Sequence, residues 1–338
     1  MKRFFPLLFL LTCGRLPPSI GLTSEIAIVT DSDRVFDTLS QAIQITYRTP
    51  RREEKYRFLR VELAKLTQIL RFHLIILADP IQRSEVGTFI QELLAPDAEA
   101  KVTKEGFGIF RIKDQWAEGQ EILIITGSND SALLSGINLA EQRIRSIINE
   151  HYFNRISNET FSIGEDEKLA QYLEQNYAVH LRIPEGYRLE ERYREDGFIY
   201  LHRHDPDRVI FITKVRREDS ITIDWLLDER DILTLLYYEG DYAYRDLCFG
   251  GWSERSGRRF FKIYGVWQND SLGVGGPFVL YCFPYSGVCY LIDGMIYAPG
   301  ERKLSYLTSL EAIITTFQPL DTLSSTTKIY QLREVYRG

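Results

Sequence analysis

The sequence has little that would let it live inside a membrane. Residues 4–11 are apolar, about half the ~20 residues a spanning helix needs, and no other stretch of the 338 residues is long and apolar enough. Clustered positive charge is missing too. Lys and Arg number 41 against 47 Asp and Glu, for a formal charge of −6. Phosphate backbones are held by clustered Lys and Arg, so nucleic acid is excluded as a partner. The local run Arg48, Arg51, Arg52 is balanced by Glu53 and Glu54 and reads as a solvated face or turn. Cysteine is scarce, and a chain this long buries a core without a disulfide framework. Around Gly127 the glycine spacing of a phosphate-binding loop is absent. No Gly-x-Ser-x-Gly elbow occurs, and Ser256-Gly257 and Ser286-Gly287 sit in turns with no base nearby. No internal repeat is evident.

The first residues carry a pattern of their own. Lys2 and Arg3 precede the apolar run, which ends in Leu10-Leu11-Thr12-Cys13-Gly14. That arrangement reads as a secretory signal. Its end resembles a lipoprotein processing site, with Leu10 three residues before a Cys13 that would carry the lipid; Thr12 stands where the pattern has Gly, Ala or Ser. The expectation is a chain anchored by lipid to a membrane of the cell envelope, with residues 1–23 forming the signal and a flexible tether around Pro17, Pro18 and Gly21.

Residues 24–155 alternate strand and helix signals. Strands are expected over 25–30, 56–63, 73–78, 108–116 and 121–126, and helices over 32–45, 84–94 and 130–149. The order βαββαββα suits a ferredoxin-like split sandwich or a similar open sheet with helices. A polar segment near 153–164 suggests a boundary. Residues 156–338 show helices over 166–177, from Thr222 to Gly240 and over 303–317. Between them lie strands over 198–204, 209–215, 259–268, 277–283 and 288–297. Strand runs with helices on one face make this second part an antiparallel α+β domain, and the whole chain α+β. The 20 Tyr, 19 Phe and 4 Trp favour such β-rich structure.

Several blocks resemble a known family. They are Lys113-Asp114-Gln115-Trp116-Ala117, Ile183-Pro184-Glu185-Gly186-Tyr187, Gly197-Phe198-Ile199-Tyr200-Leu201, Gly265-Val266-Trp267, Gly275-Gly276-Pro277-Phe278 and Ile296-Tyr297-Ala298-Pro299. In order and spacing they resemble the bacterial lipoproteins of domain-of-unknown-function family 4837, over about residues 24–317. The resemblance implies a Gram-negative envelope lipoprotein and brings no activity, so no catalytic residue is carried over. The second part also looks like a sandwich of the PsbP/Mog1 type, through Pro184-Glu185-Gly186-Tyr187 and the terminal helix ending at Phe317; a fold does not fix a function.

Four groups of residues could carry chemistry. Asp31, Asp79 and Asp130 follow expected strand ends, where carboxylates could hold a divalent cation for metal-assisted hydrolysis, or could simply cap helices. His202 and His204 share a strand face, followed by Asp205, but no third zinc ligand is evident. With Pro284-Tyr285-Ser286-Gly287 as a four-residue loop, Cys282 and Cys289 would be directly opposed and close to disulfide range. Trp267, Gly275, Gly276 and Tyr281 offer aromatic surface beside flexible backbone, as a glycan- or peptide-binding module would. No cofactor or metal is expected. The leading expectation is a non-enzymatic envelope lipoprotein acting in binding or assembly, with an envelope protein or glycan as partner.

Overall fold

The computed structural model describes residues 15–216, 220–237 and 240–320. Cys13 and the rest of the signal lie outside them. Strand β1 (Glu25–Val29) leads to α1 (Asp33–Ile43), then β2 (Thr46–Arg48), β3 (Arg52–Glu54) and β4 (Arg57–Val61). Next come α2 (Leu66–Ile69), β5 (Leu74–Ala78), α3 (Glu85–Leu93), α4 (Pro96–Glu105), β6 (Phe107–Lys113) and β7 (Glu121–Gly127). Helices α5 (Asp130–Leu139), α6 (Glu141–Phe161) and α7 (Glu167–Tyr177) follow, then β8 (Val179–His180), β9 (Arg188–Leu189), β10 (Ile199–Arg203) and β11 (Asp207–Arg216). The chain continues through α8 (Ile223–Tyr237), β12 (Tyr242–Ala243), β13 (Phe249–Arg255) and β14 (Arg258–Asn269). It closes with β15 (Val274–Tyr285), β16 (Val288–Tyr297), α9 (Leu304–Ile314) and β17 (Gln318–Pro319). Two compact units result: residues 1–45 with 56–152, and residues 46–55 with 153–338.

The first unit is an open sheet in the order β4-β1-β5-β7-β6. Strands β4, β1, β5 and β7 run parallel, and only β6 is antiparallel. Of the two expected topologies it is therefore the open sheet, not the ferredoxin-like sandwich. Continuous apolar runs explain this: every residue of β5 and β7 is buried, as in a parallel sheet covered on both faces. Side-chain caps start the helices, with Ser32 accepting from the Val35 amide and Asn129 from the Ala132 amide. The expected 130–149 helix breaks at Ala140, and α6 continues through the segment read as a polar boundary. Its buried Ile144, Ile148, Tyr152 and Ile156 recur every fourth residue, a signal the local Asn and Ser content hid. Pro96 opens α4 at its first turn, where its missing N–H costs nothing.

The expected tether is partly docked. His73 contacts the Ser19 hydroxyl and the Gly21 carbonyl, both at 2.8 Å. The Ile20 amide donates to Arg71 O, and the Arg71 guanidinium donates to Pro18 O. Residues 18–21 thus belong to the first unit's surface rather than to a free linker.

The second unit is built on an eight-stranded antiparallel sheet, β12-β14-β15-β16-β11-β10-β9, with β13 beside β14. Both faces are covered. Leu173 and Tyr177 of α7, with Leu307, Leu310, Ile313 and Ile314 of α9, pack on one face. Trp225, Leu226, Leu227 and Leu233 of α8 pack on the other. Gly294 lets α9 lie close, because a Cβ there would meet Leu310 and Ile314 at 3.2 Å.

The β2–β3 hairpin, read from sequence as a turn, belongs to this unit and completes α9. Lys303 at the head of that helix supplies no side-chain cap. Glu53 does so across 250 residues: its carboxylate accepts from the Lys303 amide at 3.0 Å and from the Leu304 amide at 3.4 Å. Glu53→Ala is expected to lower unfolding free energy by about 1–3 kcal/mol, the cost of orphaned helix amides. Urea denaturation checks this; an unchanged midpoint would mean water replaces the cap at no cost.

Candidate functional site

An opening in the second unit lies beside the end of the β14–β15 ladder. Strands β14 and β15 pair from Asn269–Val274 to Phe261–Cys282 and then stop. Beyond that point β14 stays with β13, to Arg255–Arg258, and β15 stays with β16, to Tyr285–Val288. Pro284 stands where the next rung would form, and proline has no N–H to give it.

The backbone alternation shows which groups face each other there. Ser256-Gly257 and Ser286-Gly287 are the hairpin turns, and all four residues have positive φ. Such two-residue turns are closed by flanking residues that exchange both hydrogen bonds. Arg255 and Arg258 fill that role on one tip, Tyr285 and Val288 on the other. The next residues, Arg259 and Pro284, then turn their main-chain groups toward each other. A closed ladder would need a Pro284 amide for the Arg259 carbonyl.

A cleft beside these tips has a volume of about 630 Å³ and is lined by Trp252, Arg258, Arg259, Phe283, Pro284, Tyr285, Gln318 and Pro319. A second cavity of about 460 Å³ shares Arg258, Phe283 and Gln318 with it. His180, Arg182, Arg255, Ser256, Phe260, Thr315 and Thr316 complete that wall. No acidic side chain is among the described linings. Arg182 is neutralised by Glu165, with contacts of 2.6 and 2.8 Å. Arg255, Arg258 and Arg259 have no carboxylate within ion-pair distance among the described residues. Each lies over a ring instead: Arg255 over Phe153 at 3.6 Å, Arg259 over Trp252 at 4.3 Å, Arg258 over Phe283 at 4.9 Å. Even Glu254, the cross-strand neighbour of Arg259, makes no ion pair with it. Arg258 also donates to Phe317 O, and burial lowers its pKa. Stacking fixes a guanidinium flat and leaves its N–H edge free for a planar anion. Trp252 keeps 42% of its surface exposed.

The wall contains one oriented base. His180 Nδ1 lies 2.6 Å from Glu174. No Ser or Thr hydroxyl among the described residues is hydrogen-bonded to its other nitrogen, which a nucleophile–base pair requires.

The residues singled out from sequence lie elsewhere. Trp267 and Tyr281 are 5% and 1% exposed and offer no surface to a glycan or peptide. The Trp267 indole donates to Ile296 O, and Tyr281 OH donates to the buried Glu311. Gly275 and Gly276 serve close backbone packing: a Cβ on Gly276 would meet Ile296 O at 1.9 Å, and one on Gly275 would meet Trp267 O at 2.7 Å. Cys282 pairs with Leu291 and Cys289 with Pro284. The expected direct opposition fails because the turn has two residues, not four; both side chains are thiols. His202 and His204 lie with ring centroids 5.2 Å apart, and His204 contacts Asp207 at 2.6 Å.

The three aspartates do not gather. Among the described residues no group of three or more His, Cys, Asp or Glu could hold a metal ion, which removes the motive for a metal-assisted hydrolase. Asp31 and Asp79 do meet, at the ends of adjacent β1 and β5, where the strand order reverses. Asp79 accepts from the Asp31 amide at 2.7 Å, and the Asp31 carboxylate accepts from the Val86 amide at the start of α3. Asp130 sits in the first turn of α5, capped by Asn129. Capping is thus what Asp31 performs. Burial first, then the neighbouring Asp31 charge, push Asp79 up to about 6 against the pull of its hydrogen bonds.

Two other buried polar clusters are structural. Glu311 accepts from Lys262, Tyr264 and Tyr281, and its pKa ends below the usual value because these partners outweigh burial. Arg230 bonds Asp293 at 3.2 Å beneath α8, both fully buried, with the guanidinium 4.0 Å from the Phe278 ring centroid.

The comparisons with known proteins assign no activity. Residues 166–316 match the family model described as a domain of unknown function, DUF4837. Residues 19–161 match a second domain of unknown function, DUF8532. The first match agrees with the resemblance read from the sequence blocks, but only for the second unit; the blocks before residue 166 fall in the other model's range. No curated protein matches. A solved structure with some likeness is the crystal structure of LpqN, involved in cell envelope biogenesis of Mycobacterium tuberculosis. It is 15% identical, with 41% of this chain and 82% of that chain covered and a TM-score of 0.27.

Asp79 sets a pH dependence. Its folded pKa lies above the ordinary value, so between about pH 4 and 6 the folded state keeps a proton the unfolded state has lost. That stability is complete below the unfolded value and is lost as pH rises through 6. Asp79→Asn should therefore stabilise the protein more at pH 8 than at pH 4. Equal effects in urea denaturation at the two pH values would contradict the shift.

Proposed function

We propose that this protein is a non-enzymatic, lipid-anchored binding protein of the bacterial cell envelope, which holds an anionic ligand in the cleft beside its two hairpin tips. One observation carries the binding part. In a chain with a formal charge of −6, three guanidiniums without carboxylate partners among the described residues line two adjoining openings that share Arg258 and Phe283. Left to itself, such a site concentrates positive potential and attracts a negatively charged partner. The anchor rests on Lys2, Arg3, the apolar run and Cys13, and on the resemblance to envelope lipoproteins. Among the described residues no helix is long and apolar enough to cross a membrane.

Both parts have direct tests. Radiolabelled palmitate should enter the wild type in its native host and not Cys13→Ala; equal labelling of both would remove the anchor. Titration of the purified protein with polyglutamate or polygalacturonate should alter Trp252 fluorescence in a salt-dependent way, while polylysine should not. Arg258→Gln with Arg259→Gln should abolish the response, and a Trp252→Phe control identifies its source. A response that survives the double substitution would place the anion elsewhere.

A further inference from the structure

Residues 15–22 combine a fixed main chain with exposed apolar side chains. The Ser19 amide donates to Glu118 O at 3.0 Å, the Glu118 amide to Pro17 O at 2.9 Å, and the Ile20 amide to Arg71 O at 2.7 Å. Isolated parallel bridges join Pro18 to Glu118 and Ile20 to Phe72. Yet Leu16 is 41% exposed, Ile20 48% and Leu22 60%. Three of the eleven large apolar residues exposed among the described ones thus fall on this one short segment. Single exposed apolar residues are ordinary, but a fixed row of them marks a contact surface.

Strand alternation sets which way the row faces. The Ser19 hydroxyl turns inward to the buried His73, so Pro18 and Ile20 on either side of it turn outward. From 15 to 22 the segment carries one cation, Arg15, and no acid. The Arg71 guanidinium lies on Pro18 O at 2.8 Å. Of the carboxylates along the row, Glu25 pairs with Arg57 at 3.2 Å and Glu118 is exposed beside Pro18. The position of Cys13 decides what covers the row. It precedes Leu16 by three residues and Pro18 by five. A chain spans at most about 3.5 Å per residue, so a lipid on Cys13 keeps Leu16 within about 11 Å and Pro18 within about 18 Å of the anchored residue. A leash this short leaves the row beside lipid.

Building on the reading of Cys13 as a lipid anchor, we infer that residues 15–22 are a second membrane contact, lying on the phospholipid bilayer with Leu16, Ile20 and Leu22 inserted among the headgroups. Arg15 meets lipid phosphates beside them. Apolar side chains and cations at the interface add to the hold of an acyl anchor. Phe72 and Glu118 stand just before β5 and β7, which run parallel. The contact therefore orients the first unit on the membrane, with the starts of β5 and β7 toward lipid and their ends away from it.

Photo-crosslinking of the full chain in its native host tests this, with p-benzoylphenylalanine placed singly at the positions of Ile20, Leu22 and Arg83. Arg83 is exposed and lies past the far end of β5, so it serves as the control. Illumination should attach radiolabelled phospholipid to the probes at 20 and 22, and at least about tenfold less to the probe at 83. Leu22→Glu should lower the adduct from the probe at 20 about fivefold, with palmitate labelling and thermal melting as in the wild type. Equal lipid adducts from 20 and 83, or protein adducts in place of lipid at 20 and 22, would overturn the inference. Palmitate labelling with no lipid adduct would overturn it while keeping the anchor. Neither palmitate nor adduct would overturn both. Lipid adducts from 20 and 22 in a chain that takes up no palmitate would overturn the anchor and keep the contact.

Discussion

A hydrogen-bond ladder needs a donor at every rung, and Pro284 cannot supply one. Strands β14 and β15 are the long middle of the second unit's sheet, yet their pairing ends at Phe261–Cys282. Two tight turns fix the alternation of each tip, which aims the main-chain groups of Arg259 and Pro284 at each other. The end of the ladder follows from the one missing N–H, and strand alternation puts Arg258 and Arg259 on opposite faces.

The rest of the unit keeps the fault local. Helices α7 and α9 cover one face of the sheet and α8 the other, so the strands remain buried up to the last rung. Buried ion pairs contribute little net stability, but breaking one costs several kcal/mol. Glu311 with Lys262, and Arg230 with Asp293, therefore resist any shift of α9 or α8 that would leave a charge unpaired. Glu53 holds the head of α9 from a hairpin far away in sequence.

Much of this was legible from sequence, and the omissions have physical causes. Strand β5 is a continuous apolar run in the sequence, and the long strands β14, β15 and β16 lie where strands over 259–268, 277–283 and 288–297 were expected. The site was not legible. Trp267 and Tyr281 drew attention as aromatics beside glycines, but those glycines serve close packing and both rings are core. Strand β13 carries Gly250, Gly251 and mostly exposed residues, so it has no apolar period to read. The available signals were Arg255-Ser256-Gly257-Arg258-Arg259, a basic tip on a tight turn, and a proline inside a strand. Reading Pro284 as a loop residue set the turn two residues early. That one register error produced the disulfide expectation and concealed the cleft. The Glu53 cap could not be foreseen, because sequence spacing carries no information about contacts 250 residues apart.

Amide hydrogen exchange, resolved by residue, tests where the ladder ends. The amides of Phe261 and Cys282, on the last formed rung, should stay protected, while those of the turn residues Gly257 and Gly287 exchange freely. Exchange of Phe261 and Cys282 as fast as the turn glycines would contradict the pairing that flanks the opening.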